Sequence, residues 1–581
     1  MLFMLPCRAP DSHLSGSYEV AIRPEVMSAV NAQYPMVVST NAAADEIVLK
    51  TKFDAESQLI VATSQGKRLA SITEDDTQIG SALSPDGQSI AYYSHPRNKG
   101  LYYPEIWSPK THLVKKLKVP PSLEANAPLR WSPDGSELLY AEKGHDRLMH
   151  LYLIDLKNKE PEFTEIGTIV GTEVYSWAHR SNRFVTCLKA DPNRLVVFNS
   201  AGTLESRVLI AHSMTLQGVT WSWNEDRLTL SARTPNSDWF TIIEIEVKSG
   251  KSETCFKERA DLTDPVALPN GSVLLGVNSG GSTVLGNGFC RNHKFIVVGP
   301  QEGTVYLRST SIDGQTINAY YLSPTEPPSL ISIHIQAESE RYHYIYRSPQ
   351  YLQLTVAEPV RISIPSTKGD TMLGTIWPAQ SNNRSKRVVV VNVHGGPHIQ
   401  DGVGWALQNK LITSEGADYM TFNYHGSTGF GKSFEKIESV EQQVDDIISA
   451  CEYAKKKILP PGGMIILEGV SFGAYLSLRT VLRRQDLIDG ILINSLLLAG
   501  DIAYPSKDMA RIRVRQFYGE DDPSISSEQA RATSEKVFGS DIFDGRRGVF
   551  CTLKGESHVF WGNDSIARLY SGLADLIQDS R

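Results

Sequence analysis

The sequence predicts two folded parts in one chain: an all-β propeller, followed by a doubly wound, mostly parallel α/β sheet. Three observations support this division. The length of 581 residues is more than one hydrophobic core usually organises. A short turn phrase recurs at a regular spacing before residue 350, and apolar strands alternate with helical patterns after residue 358.

The recurring phrase joins an aromatic or aliphatic residue to a tight Pro-Asp-Gly turn. Its copies lie roughly 45 residues apart, a period typical of propeller blades. The two clearest copies are Leu83-Ser-Pro-Asp-Gly87 and Trp131-Ser-Pro-Asp-Gly135, and weaker ones begin near Trp177, Trp221, Leu268 and Ile312. We predict seven blades, with six as the alternative. An irregular β-sandwich with a chance repetition is the remaining interpretation.

In the C-terminal half, Val388–Val393 is apolar except at Asn392, as expected of a strand buried on both faces of a parallel sheet. Further strands are predicted at 419–423, 464–468, 490–495, 511–518 and 548–553, with helices at 441–457, 474–484 and 564–578. The domains are therefore expected at 35–355 for the propeller and 356–581 for the α/β part. A possible helix at 22–32, within an N-terminal extension of residues 1–34, is expected to pack on the α/β part.

Composition limits the classes of partner. A net charge of −7 without a basic stripe argues against nucleic-acid binding. We expect no membrane association, because no run approaches the roughly 18 apolar residues that cross a bilayer. The N-terminal apolar run stops at Pro6 and has no basic stretch, so we expect no secretory leader. The six cysteines are scattered singly, which favours reduced thiols and a cytoplasmic location.

The strongest chemical signal is Gly469-Val-Ser471-Phe-Gly473, which lies directly between a predicted strand and a predicted helix. Glycines flanking a serine allow the sharp turn that lifts its hydroxyl above the sheet edge, as in the α/β hydrolase fold. The context therefore predicts a nucleophile at Ser471, with an ordinary tight turn as the alternative.

A serine nucleophile needs a base, and the base needs an acid that fixes its tautomer. His558 is the one histidine after Ser471, and it follows a predicted strand. The acid is expected in the loop after the preceding strand, where Asp522 is our choice and Asp521 and Glu520 are the alternatives.

The developing oxyanion also needs hydrogen-bond donors. The Phe472 N–H at the helix start is one candidate, and the phenol of Tyr424 is another. Gly395 and Gly396, in the loop after Val388–Val393, offer backbone groups for binding substrate, with ordinary turns as the alternative. No metal ion or organic cofactor is needed for this chemistry.

Five motifs in order resemble the prolyl oligopeptidase family, most closely its acylaminoacyl-peptidase branch. They are Val-His394-Gly-Gly-Pro397, Asn423-Tyr-His-Gly-Ser-Thr-Gly-Phe-Gly431, Gly469-Val-Ser-Phe-Gly-Ala-Tyr475, Gly519-Glu-Asp-Asp522 and Gly555-Glu-Ser-His558. The resemblance implies a serine peptidase for short peptides, with Ser471, Asp522 and His558 as its triad. It also implies that the family's oxyanion tyrosine is Tyr424 and that the propeller restricts entry to oligopeptides.

Several positions depart from the family pattern. Histidine stands at 425, where the family usually has arginine, and the stretch between Ser471 and Asp522 looks short for a region that normally supplies pocket residues. Arginines alternate with apolar residues at 511–517, which suggests a strand with one face exposed or against a partner. A homo-oligomer is therefore a possibility.

Three functions remain open from the sequence. The first is hydrolysis of short or N-acylated peptides through an acyl-enzyme on Ser471. The second is a specialised hydrolase that releases an acyl or peptide product in a biosynthetic pathway. The third is an inactive scaffold that binds proteins through its propeller.

Overall fold

The structure is a computed structural model, and the residues it describes are 21–24, 26–27, 36–40, 46–53, 56–63, 67–72, 77–96, 101–123, 127–158, 160–171, 174–210, 214–311, 313–335, 342–347, 351–380, 387–498, 509, 511–543, 547–560 and 562–579.

The N-terminal half is built from groups of four antiparallel strands. In five groups the four strands form a separate sheet, and two further groups share an eight-stranded sheet through one parallel bridge between Thr283 and Thr304. The first five sheets contain β1 (Met36–Thr40), β2 (Glu46–Phe53), β3 (Glu56–Thr63), β4 (Arg68–Ser71); β5 (Thr77–Leu83), β6 (Ile90–His95), β7 (Tyr103–Ser108), β8 (Leu113–Lys116); β9 (Arg130–Trp131), β10 (Glu137–Lys143), β11 (Met149–Asp155), β12 (Glu162–Ile169); β13 (Tyr175–Trp177), β14 (Phe184–Cys187), β15 (Arg194–Phe198), β16 (Leu204–Leu209); β17 (Thr215–Trp221), β18 (Arg227–Arg233), β19 (Thr241–Glu246) and β20 (Ser252–Phe256).

The eight-stranded sheet completes this half. It contains β21 (Asp261–Ala267), β22 (Val273–Ser279), β23 (Ser282–Phe289), β24 (Lys294–Val298), β25 (Thr304–Thr310), β26 (Thr316–Leu322), β27 (Ser329–His334) and β28 (Tyr342–Arg347). Three-residue and four-residue 3-10 helices lie at Cys290–Asn292 and Tyr351–Leu354. Repeated four-stranded sheets are the arrangement expected of propeller blades.

The recurring phrase forms the turn between the first two strands of its sheet. In the second sheet Gly87 has φ +70°, a left-handed conformation that favours glycine, and Asp86 accepts a hydrogen bond from the Ser84 hydroxyl at 2.6 Å. The aromatic residue of the phrase connects neighbouring sheets, because the Trp131 indole donates to the carbonyl of Ala82 at 2.9 Å. The repeat therefore encodes both the turn and the contact between sheets.

The C-terminal half contains one eight-stranded sheet in the order β29-β30-β32-β31-β33-β34-β35-β36. The strands from β32 to β36 are parallel along this order, and β29 and β30 are antiparallel. Their bounds are β29 (Val360–Pro365), β30 (Thr371–Trp377), β31 (Val388–Val393), β32 (Asp418–Phe422), β33 (Met464–Val470), β34 (Gly490–Asn494), β35 (Arg513–Gly519) and β36 (Gly548–Leu553).

Helices cover both faces of this sheet. They are α1 (Leu407–Ser414), α2 (Lys432–Glu435), α3 (Val440–Tyr453), α4 (Phe472–Arg483), α5 (Ser527–Phe538) and α6 (Asn563–Asp579), with a π-helical turn at Ala454–Ile458. One apolar cluster lies under α3 and α4, and a second lies under α1 and α6. Strand β31 contributes to both clusters, which explains why five of its six residues are valine.

The polar strand β35 corrects one sequence prediction. The prediction that one of its faces is exposed or meets a partner is wrong, because β35 pairs with both β34 and β36 and lies buried within the sheet. Arg515 is 4% exposed, and its guanidinium donates to the carbonyl of Val514 at 3.2 Å. Backbone carbonyls thus accept hydrogen bonds from a charged side chain that the sequence pattern places at the surface.

The prediction of reduced cysteines is wrong for Cys255 and Cys290, which form a disulfide. Strand β20 and the 3-10 helix after β23 bring their Cα atoms to 4.4 Å, although they are 35 residues apart in the chain. Cys551 is also disulfide-bonded, whereas Cys187 and Cys451 are buried thiols. Cys7 lies outside the described residues.

The described part of the N-terminal segment contacts the α/β half. Val26 is 2% exposed and packs with Leu411 and Ala567. Arg23 donates to Asp575 at 2.7 Å and to Glu415 at 3.2 Å. The rest of the helix predicted at 22–32 lies largely outside the described residues. Among the helices that the structure describes, none is long and apolar enough to span a membrane.

Candidate active site

Ser471 occupies a sharp turn between β33 and α4. Its φ of 56° and ψ of −121° are costly for a residue with a Cβ, so surrounding packing must hold them. A Cβ on Gly469 would lie 2.6 Å from the Cα of Ala474, and one on Gly473 would collide with the carbonyl oxygens of Val393 and His394. The two glycines therefore let the helix pack closely behind the serine.

Two further predicted residues converge on Ser471. The Nε2 atom of His558 lies 2.8 Å from the Ser471 Oγ, and its Nδ1 atom lies 2.8 Å from Oδ2 of Asp522. The carboxylate of Asp522 is fully buried, while the imidazole is 29% exposed. The three side chains thus form one line of hydrogen bonds that begins in the interior and ends at an accessible hydroxyl.

The loop after β35 selects among the three candidate acids. Asp521 and Glu520 are exposed, and neither has a hydrogen bond to His558 among the described contacts. Asp522 turns inward, where its Oδ1 accepts the N–H of Ser524 at 2.8 Å. The Ser524 hydroxyl lies 3.2 Å from Nδ1 of His558. Sequence reasoning missed Ser524, although an Asp followed two residues later by a serine is a common turn that orients the carboxylate.

Of the two glycines expected to bind substrate, Gly395 lies beside the serine. A Cβ there would come within 3.1 Å of the Val470 carbonyl and 3.2 Å of the Ser471 Cβ, so a larger residue would crowd the serine. Gly396 is exposed, has φ +111°, and precedes Pro397 through a cis peptide bond. Phe472 begins α4, where the first backbone N–H groups of a helix have no partner within the helix.

The phenol of Tyr424 points elsewhere than the sequence analysis expected. Tyr424 is fully buried, and its hydroxyl donates to the carbonyl oxygen of His394 at 2.7 Å. Burial raises the pKa of this phenol well above its usual value. The structure therefore brings Tyr424 to the backbone that precedes Gly395, and it does not bring the hydroxyl to Ser471.

Two buried carboxyl groups lie behind the site and were not anticipated. Burial raises the pKa of Glu468, on the strand that leads to Ser471, to about 7. Burial also raises the pKa of Asp401, whose Oδ2 accepts the amide of Asn392 at 2.7 Å. A single acidic residue within the apolar strand Met464–Val470 is the sequence signal that could have identified Glu468.

Within the described residues, the side chains close enough together to hold a metal ion are those of Glu244, Cys255 and Cys290. They lie in the N-terminal half, and the two cysteines are bonded to each other. They take no part in the arrangement around Ser471.

A family model supports the resemblance in the sequence. The model of the prolyl oligopeptidase family matches residues 405–495, which include Tyr424 and Ser471. The resemblance to this family is confirmed. The prolyl oligopeptidase match extends from the loop before α1 to the end of β34, so it does not include Asp522 and His558. These two residues are linked to Ser471 by the hydrogen bonds in the structure.

Curated relatives each match about a third of this chain or less. Dipeptidyl aminopeptidase BIII of Pseudoxanthomonas mexicana is 26% identical over 195 residues, which cover 32% of this chain and 28% of the relative. The acylamino-acid-releasing enzyme of Sus scrofa is 32% identical over 107 residues, which cover 18% and 14%. The chain thus matches little more than a quarter of the length of the first relative and less of the second.

Solved structures match along nearly the whole chain. A puromycin-hydrolyzing peptidase of Mycobacterium tuberculosis superposes with a TM-score of 0.73 at 14% identity, covering 97% of both chains. A puromycin hydrolase superposes with a TM-score of 0.72 at 14% identity, covering 98% of both chains. At this identity the superposition supports the fold: an all-β, propeller-type half joined to a hydrolase-type half.

Proposed function

We propose that this chain is a serine peptidase that hydrolyses short or N-acylated peptides through an acyl-enzyme on Ser471. The observation that carries the proposal is the line of 2.8 Å contacts from Asp522 through His558 to Ser471. A serine, a base and a buried acid in this order are the requirements for nucleophilic acyl transfer. The curated relatives named as acylamino-acid-releasing enzymes favour N-acylated peptides as substrates.

In the proposed reaction, Nε2 of His558 removes the Ser471 proton as the Oγ attacks the scissile carbonyl carbon. The carbonyl π electrons move to the oxygen, and Asp522 holds the imidazolium that forms. His558 then protonates the leaving amine, the C–N bond breaks, and an ester to Ser471 remains. Water attacks this ester with His558 again as the base, which releases the acid and restores the serine.

For the oxyanion we propose the backbone N–H groups of Phe472 and Gly395. Phe472 lies at the amino end of α4, and the backbone at Gly395 lies against the serine side chain. Tyr424 would then support this arrangement indirectly, through its bond to the His394 carbonyl.

For the N-terminal half we propose a seven-bladed propeller over 35–355, followed by the catalytic domain over 356–581. Seven groups of four strands support this number, counted within the described residues and with the eight-stranded sheet as two blades. A propeller over the site would admit short peptides and exclude folded proteins. The cytoplasmic location predicted from the sequence has no support in the Cys255–Cys290 disulfide, because disulfides are rare in the cytosol.

A second candidate is a specialised hydrolase that releases an acyl or peptide product. The names of the two structural neighbours described above favour this candidate, because both refer to the hydrolysis of puromycin rather than of proteins. Acyl-peptide, dipeptide and simple ester substrates assayed side by side would separate the two candidates, since a peptidase should prefer the first two.

The decisive test is labelling of the pure protein with a fluorophosphonate probe. We expect the probe to modify Ser471, and we expect Ser471→Ala and His558→Ala each to lower turnover by several orders of magnitude. Ser249→Ala, in an exposed hairpin of the N-terminal half, is the matched control and should retain full activity. If the folded wild-type protein resists the probe, the inactive scaffold is the correct interpretation.

A further inference from the structure

His425 lies in the interior, directly after Tyr424, and is 3% exposed. Both of its ring nitrogens face carboxylates. The Nδ1 atom lies 2.7 Å from Oδ2 of Asp446, on α3, and the Nε2 atom lies 3.1 Å from Oδ2 of Asp370, in the turn before β30. Asp446 is itself buried, whereas the side chain of Asp370 is 61% exposed.

This geometry requires a charged imidazole. A neutral imidazole donates from one nitrogen only, so it can satisfy one of the two carboxylates, whereas an imidazolium donates to both. Desolvation is the largest single influence and opposes the charge, but the hydrogen bonds and charges of Asp446 and Asp370 outweigh it and raise the pKa of His425 above its usual value.

The other charged groups around His425 largely balance one another. Glu438 precedes α3 and forms an ion pair with Lys368, from the turn after β29, and Lys436 also acts on Glu438. Glu438 and His425 interact electrostatically, and the charge of His425 contributes to the lowered pKa of Glu438. The uncompensated negative charge next to the imidazole is therefore that of Asp446 and Asp370.

His425 anchors the loop that follows β32. Its ring stacks on Phe434 with centroids 4.5 Å apart, and its carbonyl accepts the amide of Gln443 at 2.9 Å. Before His425 in the chain, Tyr424 donates to the His394 carbonyl. After His425, the Ser427 Oγ lies 2.9 Å from Nε2 of His394. Both contacts fix the residue before Gly395.

We propose that His425 is a charged positioning residue, which holds the loop from Tyr424 to Ser427 and thereby fixes Gly395 beside Ser471. The proposal rests on the proposed function for its catalytic consequence, and it does not place His425 in contact with substrate. When His425 loses its proton, the bond to one carboxylate is lost and the loop relaxes. Activity therefore depends on an imidazolium at 425 as well as on a neutral imidazole at 558.

The direction of the pH effect follows from the raised pKa. A histidine whose pKa is higher in the folded than in the unfolded state contributes stability fully below the unfolded value, and that contribution is lost as the pH rises through the folded value. We therefore expect an alkaline limb in the pH profile of kcat/KM, together with a loss of thermal stability over the same pH interval.

Two substitutions test this assignment. Asp446→Asn keeps a hydrogen-bond acceptor but removes the charge, so it should move the alkaline limb to lower pH by about one unit. His425→Arg keeps a positive charge at every pH, so the alkaline limb should disappear while the acid limb stays in place. His425→Gln should lower kcat about 10-fold or more at pH values below the wild-type alkaline limb and leave KM within about twofold, because positioning rather than binding is lost.

An activity-independent measurement accompanies these profiles. The pKa of His425, followed by NMR of isotope-labelled histidine, should coincide with the alkaline limb in the wild type and fall in Asp446→Asn. An alkaline limb that stays unchanged in Asp446→Asn, or a His425 pKa that does not respond to this substitution, would overturn the proposal even if His425→Arg fails to fold. Failure of the proposed function is distinct: the fluorophosphonate would then not label the wild type at any pH.

Discussion

At the scale of single residues, the site depends on how the backbone before Gly395 is held. The His394 carbonyl accepts the Tyr424 hydroxyl at 2.7 Å, and the two rings stack with centroids 4.3 Å apart. Because the phenol is buried and donates to that carbonyl, its hydroxyl hydrogen is not directed at Ser471. In the proposed reaction, we expect Tyr424 to affect the oxyanion only through the backbone that it supports.

The substitution Tyr424→Phe separates support from direct donation. Removing the hydroxyl leaves a buried carbonyl without this partner, which should cost about 1–3 kcal/mol of stability. We expect a lower melting temperature and a fall in kcat of less than about 10-fold. Direct donation to the oxyanion, the role that the family resemblance implies, would instead lower kcat about 100-fold at an unchanged melting temperature.

Glu468 offers a second test at this scale. Its pKa of about 7 means that the fold favours the protonated form, so the buried carboxylate destabilises the protein progressively as the pH rises from the unfolded value through 7. Glu468→Gln removes this ionisation and should stabilise the protein at pH 8 by about 1–3 kcal/mol. At pH 5, where the wild-type side chain is protonated, the substitution should change little. Chemical unfolding at both pH values measures the difference, and equal effects at pH 5 and pH 8 would contradict the shifted pKa.

At the scale of elements, the sequence predicted what depends on local pattern. The apolar runs gave β31 and β36 with their observed bounds, and β33 within two residues, because strands buried on both faces need mostly apolar side chains. The strand–serine–helix order located the turn at Ser471 for a similar reason: the chemistry and the backbone conformation both demand these residue types.

Elements that depend on tertiary partners were missed or misread. Strands β29 and β30 lack a continuous apolar run, and helix α5 begins with a capping box at Ser526 and Gln529 that the sequence analysis overlooked. The arginines of β35 suggested exposure, because a pattern of side chains does not show which backbone carbonyls accept their hydrogen bonds. The Cys255–Cys290 bond was missed because packing between two different sheets, rather than spacing in the sequence, brings the two residues together.

Within the site, the same distinction holds. Ser471 and His558 could be placed from motif and chain order. Asp522 differs from its two acidic neighbours in the turn that follows it, where the N–H of Ser524 donates to its carboxylate. The direction of the Tyr424 hydroxyl could not be predicted, because it depends on the distance between two loops that follow different strands. The pair of carboxylates around His425 likewise comes from segments that are 55 and 21 residues away in sequence.

At the scale of the whole molecule, helix α2, which follows the loop of His425 in the chain, contacts the N-terminal half. Asp238, between β18 and β19, accepts the N–H of Ser433 at 2.7 Å through Oδ1 and the Ser433 hydroxyl at 3.1 Å through Oδ2. Beside it, Arg233 and Glu435 form an ion pair at 2.7 Å with side chains 11% and 15% exposed. Helix α2 is thus fixed to the N-terminal half a few residues after His425 in the chain.

If the N-terminal half restricts access to Ser471, weakening this contact should relax the restriction. Arg233→Ala leaves the largely buried Glu435 carboxylate without its partner, which is more costly than losing an exposed ion pair. We expect faster hydrogen exchange at 431–435 and a severalfold rise in kcat/KM for peptides of about 30 residues relative to short acyl-peptides. Arg227→Ala is the matched control, because Arg227 pairs at 2.8 Å with Glu244 inside the N-terminal half. An unchanged ratio between long and short substrates, despite faster exchange at 431–435, would mean that access to the serine is set elsewhere than at this contact.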